Sequence, residues 1–139
     1  MKIIDRHIMA HAVASGFAPT LIRIDLRYNA SDPYVVEMIA TEGEAESVWE
    51  LSRDSLVQGI ALGHAGQGDV VVSTNMDCTR LQLTSDEPSE GRTVATVVLP
   101  TQWVKEFLHD TCKMVQLGGE SRIMQPVIDQ AIEEILSGA

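Results

Sequence analysis

The sequence predicts an α+β protein in which two antiparallel sheets are accompanied by three helices. Seven short runs alternate apolar and polar residues, and turn-forming residues separate them. The alternation changes to helical spacing twice, after Ser52 and after Pro100. A third stretch with helical spacing ends the chain. Strands that are followed by helices in this way favour helices on one side or at one end of the sheets.

The first half contains four predicted strands, over residues 1–15, 20–28, 34–41 and 46–51. The second strand alternates most clearly. Its apolar face consists of Ile22, Ile24, Leu26 and Tyr28, and its charged face consists of Arg23, Asp25 and Arg27. Gly43 lies in the turn between the third and fourth strands. These strands therefore form hairpins with one buried face.

The first predicted helix follows the fourth strand directly. Ser52 suits its N-cap, and Asp54 favours the first turn electrostatically. Gly63 ends the helix, since glycine accepts the left-handed conformation that often follows a last turn. The apolar stripe of this helix consists of Leu56, Val57, Ile60 and Ala61.

The second half repeats the order of strands followed by a helix. After a loop over residues 64–68, three strands are predicted over 69–74, 79–84 and 92–99, and the second helix starts at Pro100. The last helix carries a wide apolar stripe that packs within the domain or forms a subunit interface. Its apolar residues are Met124, Val127, Ile128, Ala131, Ile132, Ile135 and Leu136. We interpret residues 1–139 as one domain with a pseudo-repeat of strands followed by a helix.

Composition excludes several classes of protein. The chain has 20 acidic and 10 basic residues, and its formal net charge of −10 opposes binding to a phosphate backbone. The N-terminal region has two histidines and Asp5 where a signal peptide would be apolar, so we expect no cleaved signal. No stretch is long and apolar enough to span a membrane. We therefore expect a cytoplasmic protein.

No motif predicts catalysis or a cofactor. His7 and His11 share a strand face, but their Cα atoms would be about 13 Å apart, which is too far for one metal ion. The segment 66–69 has the glycines of a phosphate loop, yet it precedes a strand instead of a helix. Cys78 and Cys112 are too few for a disulfide framework. We expect no enzymatic activity, metal or cofactor.

Two charged clusters leave alternatives open. Glu42, Glu44 and Glu46 alternate along one hairpin, which indicates a solvated face or a docking patch for a basic partner. Arg23 and Arg27 share a strand face, which leaves single-stranded nucleic-acid binding as an alternative function.

One turn does more than join two strands. The Asn, Ser and Asp residues of 29–32 suit a turn, and Pro33 fixes its backbone. Turn chemistry does not explain the residue types around it, which are Leu26, Arg27, Tyr28, Asp32, Pro33 and Tyr34. Two further segments accompany them. One is the aromatic strand residue Trp49 with the Arg-Asp pair at Arg53 and Asp54, and the other is the glycine-rich segment before the next strand, at Gly68 and Asp69. The ordered set resembles the SsgA-like proteins of sporulating actinobacteria.

The resemblance is greatest to the SsgB branch of that family and covers nearly the whole chain. It implies a Whirly-like fold that assembles as a homotrimer. It also implies a non-enzymatic adaptor in sporulation-specific cell division, which selects septum sites and recruits the tubulin-like protein FtsZ together with an SsgA-type partner. The implied location is the cytoplasm at the division septum. On this basis we expect Arg27→Ala or Tyr34→Ala to damage folding or assembly.

Overall fold

Alternation and turn chemistry produce eight strands in the part of the chain that the computed structural model describes, residues 2–14, 18–66, 68–87 and 91–118. The strands are β1 (Ile3–Ala14), β2 (Thr20–Asn29), β3 (Val35–Glu42), β4 (Ala45–Ser52), β5 (His64–Ala65), β6 (Val70–Thr74), β7 (Cys78–Glu87) and β8 (Gly91–Pro100). The helices in these residues are α1 (Arg53–Leu62) and α2 (Thr101–Met114). The predicted third helix lies outside the described residues.

The eight strands form a single antiparallel sheet, in the order β4-β3-β2-β1-β8-β7-β6-β5. The prediction of two sheets in a Whirly-like arrangement is therefore wrong, and two of the three predicted helices lie within the described residues. The reason is the length of β1, which is 12 residues long. It pairs with β2 as far as Ala12, and its last residues, His11 to Ala14, pair with Val98 to Ala95 of β8. This seam joins two four-stranded meanders into one sheet, which curls into a half-barrel.

The curled sheet buries its inner face. In β2, Ile22, Ile24, Leu26 and Tyr28 are buried, as the alternation predicts, and the three charged residues between them point to the outer face. Leu81, Leu83, Val97 and Leu99 of the second meander belong to the same core. Val104, Phe107 and Leu108 of α2 pack against it. One core therefore serves both meanders.

Helix α1 begins and ends where the sequence predicts. The Ser52 side chain accepts a hydrogen bond from the backbone N–H of Ser55, which satisfies a donor of the first turn. Gly63 ends the helix in the left-handed conformation, with a φ of 87°. Gly59 faces Val72 of β6 so closely that a Cβ atom would overlap the valine side chain. The close approach of helix and sheet at this point requires glycine.

Two local predictions for the second half are wrong. Residues 64 and 65 form β5 instead of a loop, because the turn at Gly63 brings them beside Ser73 and Val72 of β6. The second half therefore has four strands before its helix, not three. Helix α2 starts at Thr101, one residue after the predicted start, and Pro100 is its extended N-cap. The Thr101 hydroxyl donates to the carbonyl oxygen of Asn75. Neither described helix is long and apolar enough to cross a membrane.

Candidate functional site

The corner between β2 and β3 is built by side-chain to backbone hydrogen bonds. Asn29 Oδ1 accepts from the backbone N–H of Ser31 at 2.9 Å and from its hydroxyl at 2.7 Å. The backbone N–H of Asp32 donates to the Asn29 carbonyl at 2.9 Å. These bonds confirm the predicted turn chemistry. They hold the chain so that Pro33 is buried and Tyr34 is exposed.

Tyr28 ties this corner to the interior of the protein. Its side chain is fully buried, and its hydroxyl donates to the carbonyl oxygen of Pro33 at 3.1 Å. A buried hydroxyl needs such a partner, because an unsatisfied polar group would destabilise the core. Tyr28 therefore fixes the exit of the chain from β2 relative to its entry into β3.

Arg53 is the largest fully buried side chain in the described part of the chain. It is the first residue of α1, and its backbone N–H donates to the Tyr34 carbonyl at 2.9 Å. This bond continues the pairing of β3 with β4 by one position beyond Val35 and Ser52. The Arg53 side chain therefore leaves the backbone at the junction between β4 and α1.

The Arg53 guanidinium reaches the C-terminal end of α2. Nη1 donates to the carbonyl oxygens of Thr111 at 3.2 Å and Val115 at 2.6 Å. Nη2 donates to the carbonyl oxygen of Gln116 at 3.3 Å. The last carbonyls of a helix have no partner within the helix, and they carry the negative end of its dipole. The buried Arg53 cation donates hydrogen bonds to these carbonyls, and its positive charge lies at the negative end of the helix dipole.

The same guanidinium lies over the Tyr28 ring, with 5.2 Å between its central carbon and the ring centroid. This distance is within the range of cation–π attraction. The arginine junction, defined here as Tyr28, Pro33, Tyr34 and Arg53 with the end of α2, joins the sheet corner to both helices. Of the residues that carry the family resemblance, these four meet at one place.

Arg27 points to the opposite, outer face of the sheet. Its guanidinium lies 3.0 Å from a carboxylate oxygen of Asp5 and 3.8 Å from one of Glu37. Both partners are its neighbours in the strand register. The hydrogen bond to Asp5 raises the pKa of the Arg27 guanidinium above its ordinary value.

Arg23 is paired in a similar way, at 2.8 Å from an Asp25 carboxylate oxygen. The hydrogen bond to this carboxylate raises the pKa of Arg23 above its ordinary value. The two arginines that suggest nucleic-acid binding thus lie beside carboxylates, which lowers the positive potential they present. Binding to single-stranded nucleic acid stays a prediction.

The other predicted site residues are spread over the molecule. Leu26 is part of the core, and Trp49 is half-buried on the inner face. Asp54 lies in the first turn of α1, and Asp32 is exposed at the corner. Gly68, with a φ of 77°, begins the turn that leads into β6. The carbonyl of Asp69 in that turn accepts from the backbone N–H of Thr84 at 2.8 Å.

Sequence reasoning missed the acceptors of Arg53 and the partners of Arg27. The acceptors are backbone carbonyls of Thr111, Val115 and Gln116, and no residue type marks such a role. The sequence gives a weak indication that Glu37 is a partner of Arg27, because the short turn at Asp32 and Pro33 places the two residues opposite each other. It gives a similar indication for Asp5, which is the one acidic residue of β1.

Comparison with known proteins identifies the family of this chain. The family model of the Streptomyces sporulation and cell division protein SsgA matches residues 22–120, a range that includes the whole arginine junction. The chain is 29% identical to the sporulation-specific cell division protein SsgB of Saccharopolyspora erythraea over 116 residues, which cover 83% of this chain and 79% of that protein. It is 32% identical to SsgB of Frankia casuarinae over 123 residues, which cover 87% and 84% of the two chains.

Solved structures show the same relationship. A structure reported with SsgB mutations that correlate with longitudinal cell division during sporulation of Streptomyces coelicolor aligns with a TM-score of 0.70 and 26% identity, over 88% of this chain and 95% of that one. An SsgA-like sporulation-specific cell division protein from Thermobifida fusca aligns with a TM-score of 0.70 and 25% identity, over 97% and 96% of the two chains. The chain therefore belongs to the SsgA family of sporulation and cell division proteins.

Proposed function

We propose that this chain is a non-enzymatic adaptor in sporulation-specific cell division, which selects septum sites and recruits FtsZ. A role in sporulation-specific cell division follows from its family and from the names of its relatives. The adaptor role, the contact with FtsZ, the SsgA-type partner and a place in the cytoplasm at the septum are the steps that we add. The observation that supports the adaptor role is the arginine junction, and the resemblance to SsgB-type proteins is the reason for the other three steps.

The arginine junction holds both helices to one corner of the sheet. Arg53 connects the start of α1 with the carbonyls at the end of α2, and Tyr28 connects the same guanidinium with the corner. The residues that carry the family resemblance thus stabilise the relative position of the elements. A rigid arrangement of this kind suits a protein that acts by presenting fixed surfaces to its partners.

Co-sedimentation with FtsZ polymers tests the adaptor role. We expect the chain to pellet with FtsZ in the presence of GTP at physiological salt, either alone or after addition of an SsgA-type protein. FtsZ without GTP does not polymerise and serves as the control. If the chain stays in the supernatant with polymerised FtsZ, both alone and with the SsgA-type protein, the adaptor hypothesis is wrong.

We also propose that the protein assembles as a homotrimer. An adaptor with several copies of one surface gains avidity for a polymer without any new contact. Sedimentation equilibrium over a range of concentrations measures the mass directly. A stable monomer at micromolar concentration would exclude the trimer, while co-sedimentation would still decide the adaptor role.

A further inference from the structure

The sheet has two edges of very different length. At one end β5 has two residues, His64 and Ala65. At the other end β4 has eight, from Ala45 to Ser52, and pairs only with β3 in the described part of the chain. An edge strand presents backbone donors and acceptors to any extended chain that approaches it, and short edges present few. The edge formed by β4 is therefore the one on which another strand can be added.

The register decides which backbone groups of β4 point outward. In an antiparallel pair, every second residue exchanges hydrogen bonds with its partner strand, and the residues between direct their groups away from it. The bond from the Arg53 N–H to the Tyr34 carbonyl fixes this phase. Glu46, Val48 and Glu50 consequently direct their N–H and C=O groups away from β3. No hydrogen bond from another described residue reaches these groups.

The side chains of the same three residues lie on the outer face of the sheet. Val48 is 53% exposed, and both glutamates are exposed. Neither glutamate forms an ion pair with another residue in the described ranges. Glu50 lies opposite Glu37 in the register, and like charges at such positions repel each other. The edge is therefore negative, with an apolar residue at its centre.

We infer that the β4 edge binds a basic, extended segment of a partner protein, which adds a strand to the sheet. Side chains on one face of a strand recur at every second residue. A segment with the pattern basic-x-apolar-x-basic therefore places its cations beside Glu46 and Glu50 and its apolar side chain beside Val48. Directly opposite Cβ atoms are about 5 Å apart in such a pair, which lets a lysine or arginine reach a glutamate carboxylate.

A second copy of this chain fits the edge poorly. If two β4 strands paired antiparallel about Val48, Glu46 of one copy would face Glu50 of the other. Two such like-charge pairs oppose self-association. The charge on the edge therefore selects a basic partner. This inference rests on the adaptor function proposed above, because it names the chemistry of one partner of the adaptor.

Titration calorimetry with synthetic peptides tests the inference. The probe is a short peptide with Lys, Val and Lys at alternating central positions and Thr between them. Its control has the same composition in a permuted order that places the two lysines on opposite faces. We expect the probe to bind at least about tenfold more tightly than the control and to bind more weakly as salt is raised. Equal binding of the two peptides would overturn the inference.

Two paired changes separate edge binding from simple charge attraction. The double variant Glu46→Gln with Glu50→Gln should weaken binding about tenfold. The control Glu42→Gln with Glu44→Gln, which changes the charge equally at the end of β3 and in the turn after it, should not weaken binding. N-methylation of the peptide amides that face β4 should abolish binding, and methylation of the alternate amides should not. If the two double variants bind the peptide equally, or if the two methylated peptides bind equally, the edge does not bind the peptide as a strand. A dimer that the Glu46 and Glu50 double variant strengthens would assign the edge to a second copy and also overturn it.

The peptide and FtsZ experiments fail independently. If the wild type pellets with FtsZ but does not bind the probe, the edge inference is wrong and the adaptor function stands. If the probe binds but the chain does not pellet with FtsZ, the edge inference stands and the adaptor function is wrong.

Discussion

The guanidinium carbon of Arg53 lies 5.2 Å from the centroid of the Tyr28 ring, and both side chains are fully buried. Proteins rarely bury an arginine completely unless its charge is compensated. Here the compensation comes from an aromatic face and from carbonyl oxygens at the end of α2. The buried Arg53 charge is therefore part of the contacts that hold the helices to the sheet, and the stability of the protein should depend on this charge.

Replacement of Arg53 by Ala removes the donors to the carbonyls of Thr111, Val115 and Gln116. The Thr111 carbonyl keeps its bond from the backbone N–H of Val115, and the Val115 and Gln116 carbonyls lose the guanidinium. We expect the free energy of unfolding to fall by about 3 kcal/mol, a value typical for the loss of buried hydrogen bonds to a charged group. Urea unfolding followed by circular dichroism measures the change. Arg80→Ala is the control, since Arg80 is exposed on β7 and its loss removes the same charge. Equal midpoints for the two variants would contradict a supporting role for Arg53.

Two changes at Tyr28 separate its hydroxyl from its ring. Tyr28→Phe removes the hydrogen bond to the Pro33 carbonyl and should lower stability by about 1 kcal/mol. Tyr28→Leu also removes the aromatic face below Arg53, and should cost about 1 kcal/mol more than Tyr28→Phe. A double-mutant cycle of Tyr28→Leu with Arg53→Ala measures the coupling from urea unfolding. Additive effects would show that the ring and the guanidinium do not interact.

Gly59→Ala tests the close approach of α1 to the sheet. The added Cβ would overlap the side chain of Val72, which is fully buried and has little room to move. Overpacking of this kind should lower the free energy of unfolding by about 1–3 kcal/mol. Thermal unfolding of the single variant, of Val72→Ala and of the double variant checks the cause. The double variant should be more stable than the sum of the single changes predicts, because the smaller side chain at position 72 makes room for the new methyl group.

Arg27→Ala should affect stability much less than Arg53→Ala. Arg27 is exposed on the outer face, and water and salt screen its ion pairs with Asp5 and Glu37. The sequence alone led us to expect damage to folding or assembly, and the structure lowers the expected effect on folding. Urea unfolding at low and high salt should show a small difference from the wild type that disappears at high salt. A difference that persists at high salt would show that Arg27 acts through packing or assembly.

Local features of the fold were predictable because they depend on neighbouring residues. The buried face of β2 follows from its alternation, and both ends of α1 follow from Ser52 and Gly63. The single sheet depends instead on which distant strands meet. Nothing in the residues His11 to Ala14 distinguishes a strand end that continues into solvent from one that pairs with β8. Similarly, β5 has only two residues, which is too short for any periodicity to appear.

The candidate site was predictable in its residue types and not in its contacts. The turn chemistry at Asn29 was derived from the sequence, and the resemblance picked out Tyr28, Pro33, Tyr34 and Arg53 together. Their meeting at one junction could not be derived, because the acceptors of Arg53 are main-chain oxygens about 60 residues later in the chain. The usual expectation for an arginine at the start of a helix is exposure to water.

The seam between β1 and β8 has a consequence for the order of folding. Every other strand pair in the sheet joins strands that follow each other in the chain, so both meanders are assembled from local contacts. Closing the seam brings together segments near opposite ends of the described chain, over four residue pairs among the described residues. Its loop-closure entropy is the largest in the sheet, and its gain in hydrogen bonds is among the smallest. The barrier to folding should therefore lie at this closure, and the two meanders should be the units that separate first when the protein opens.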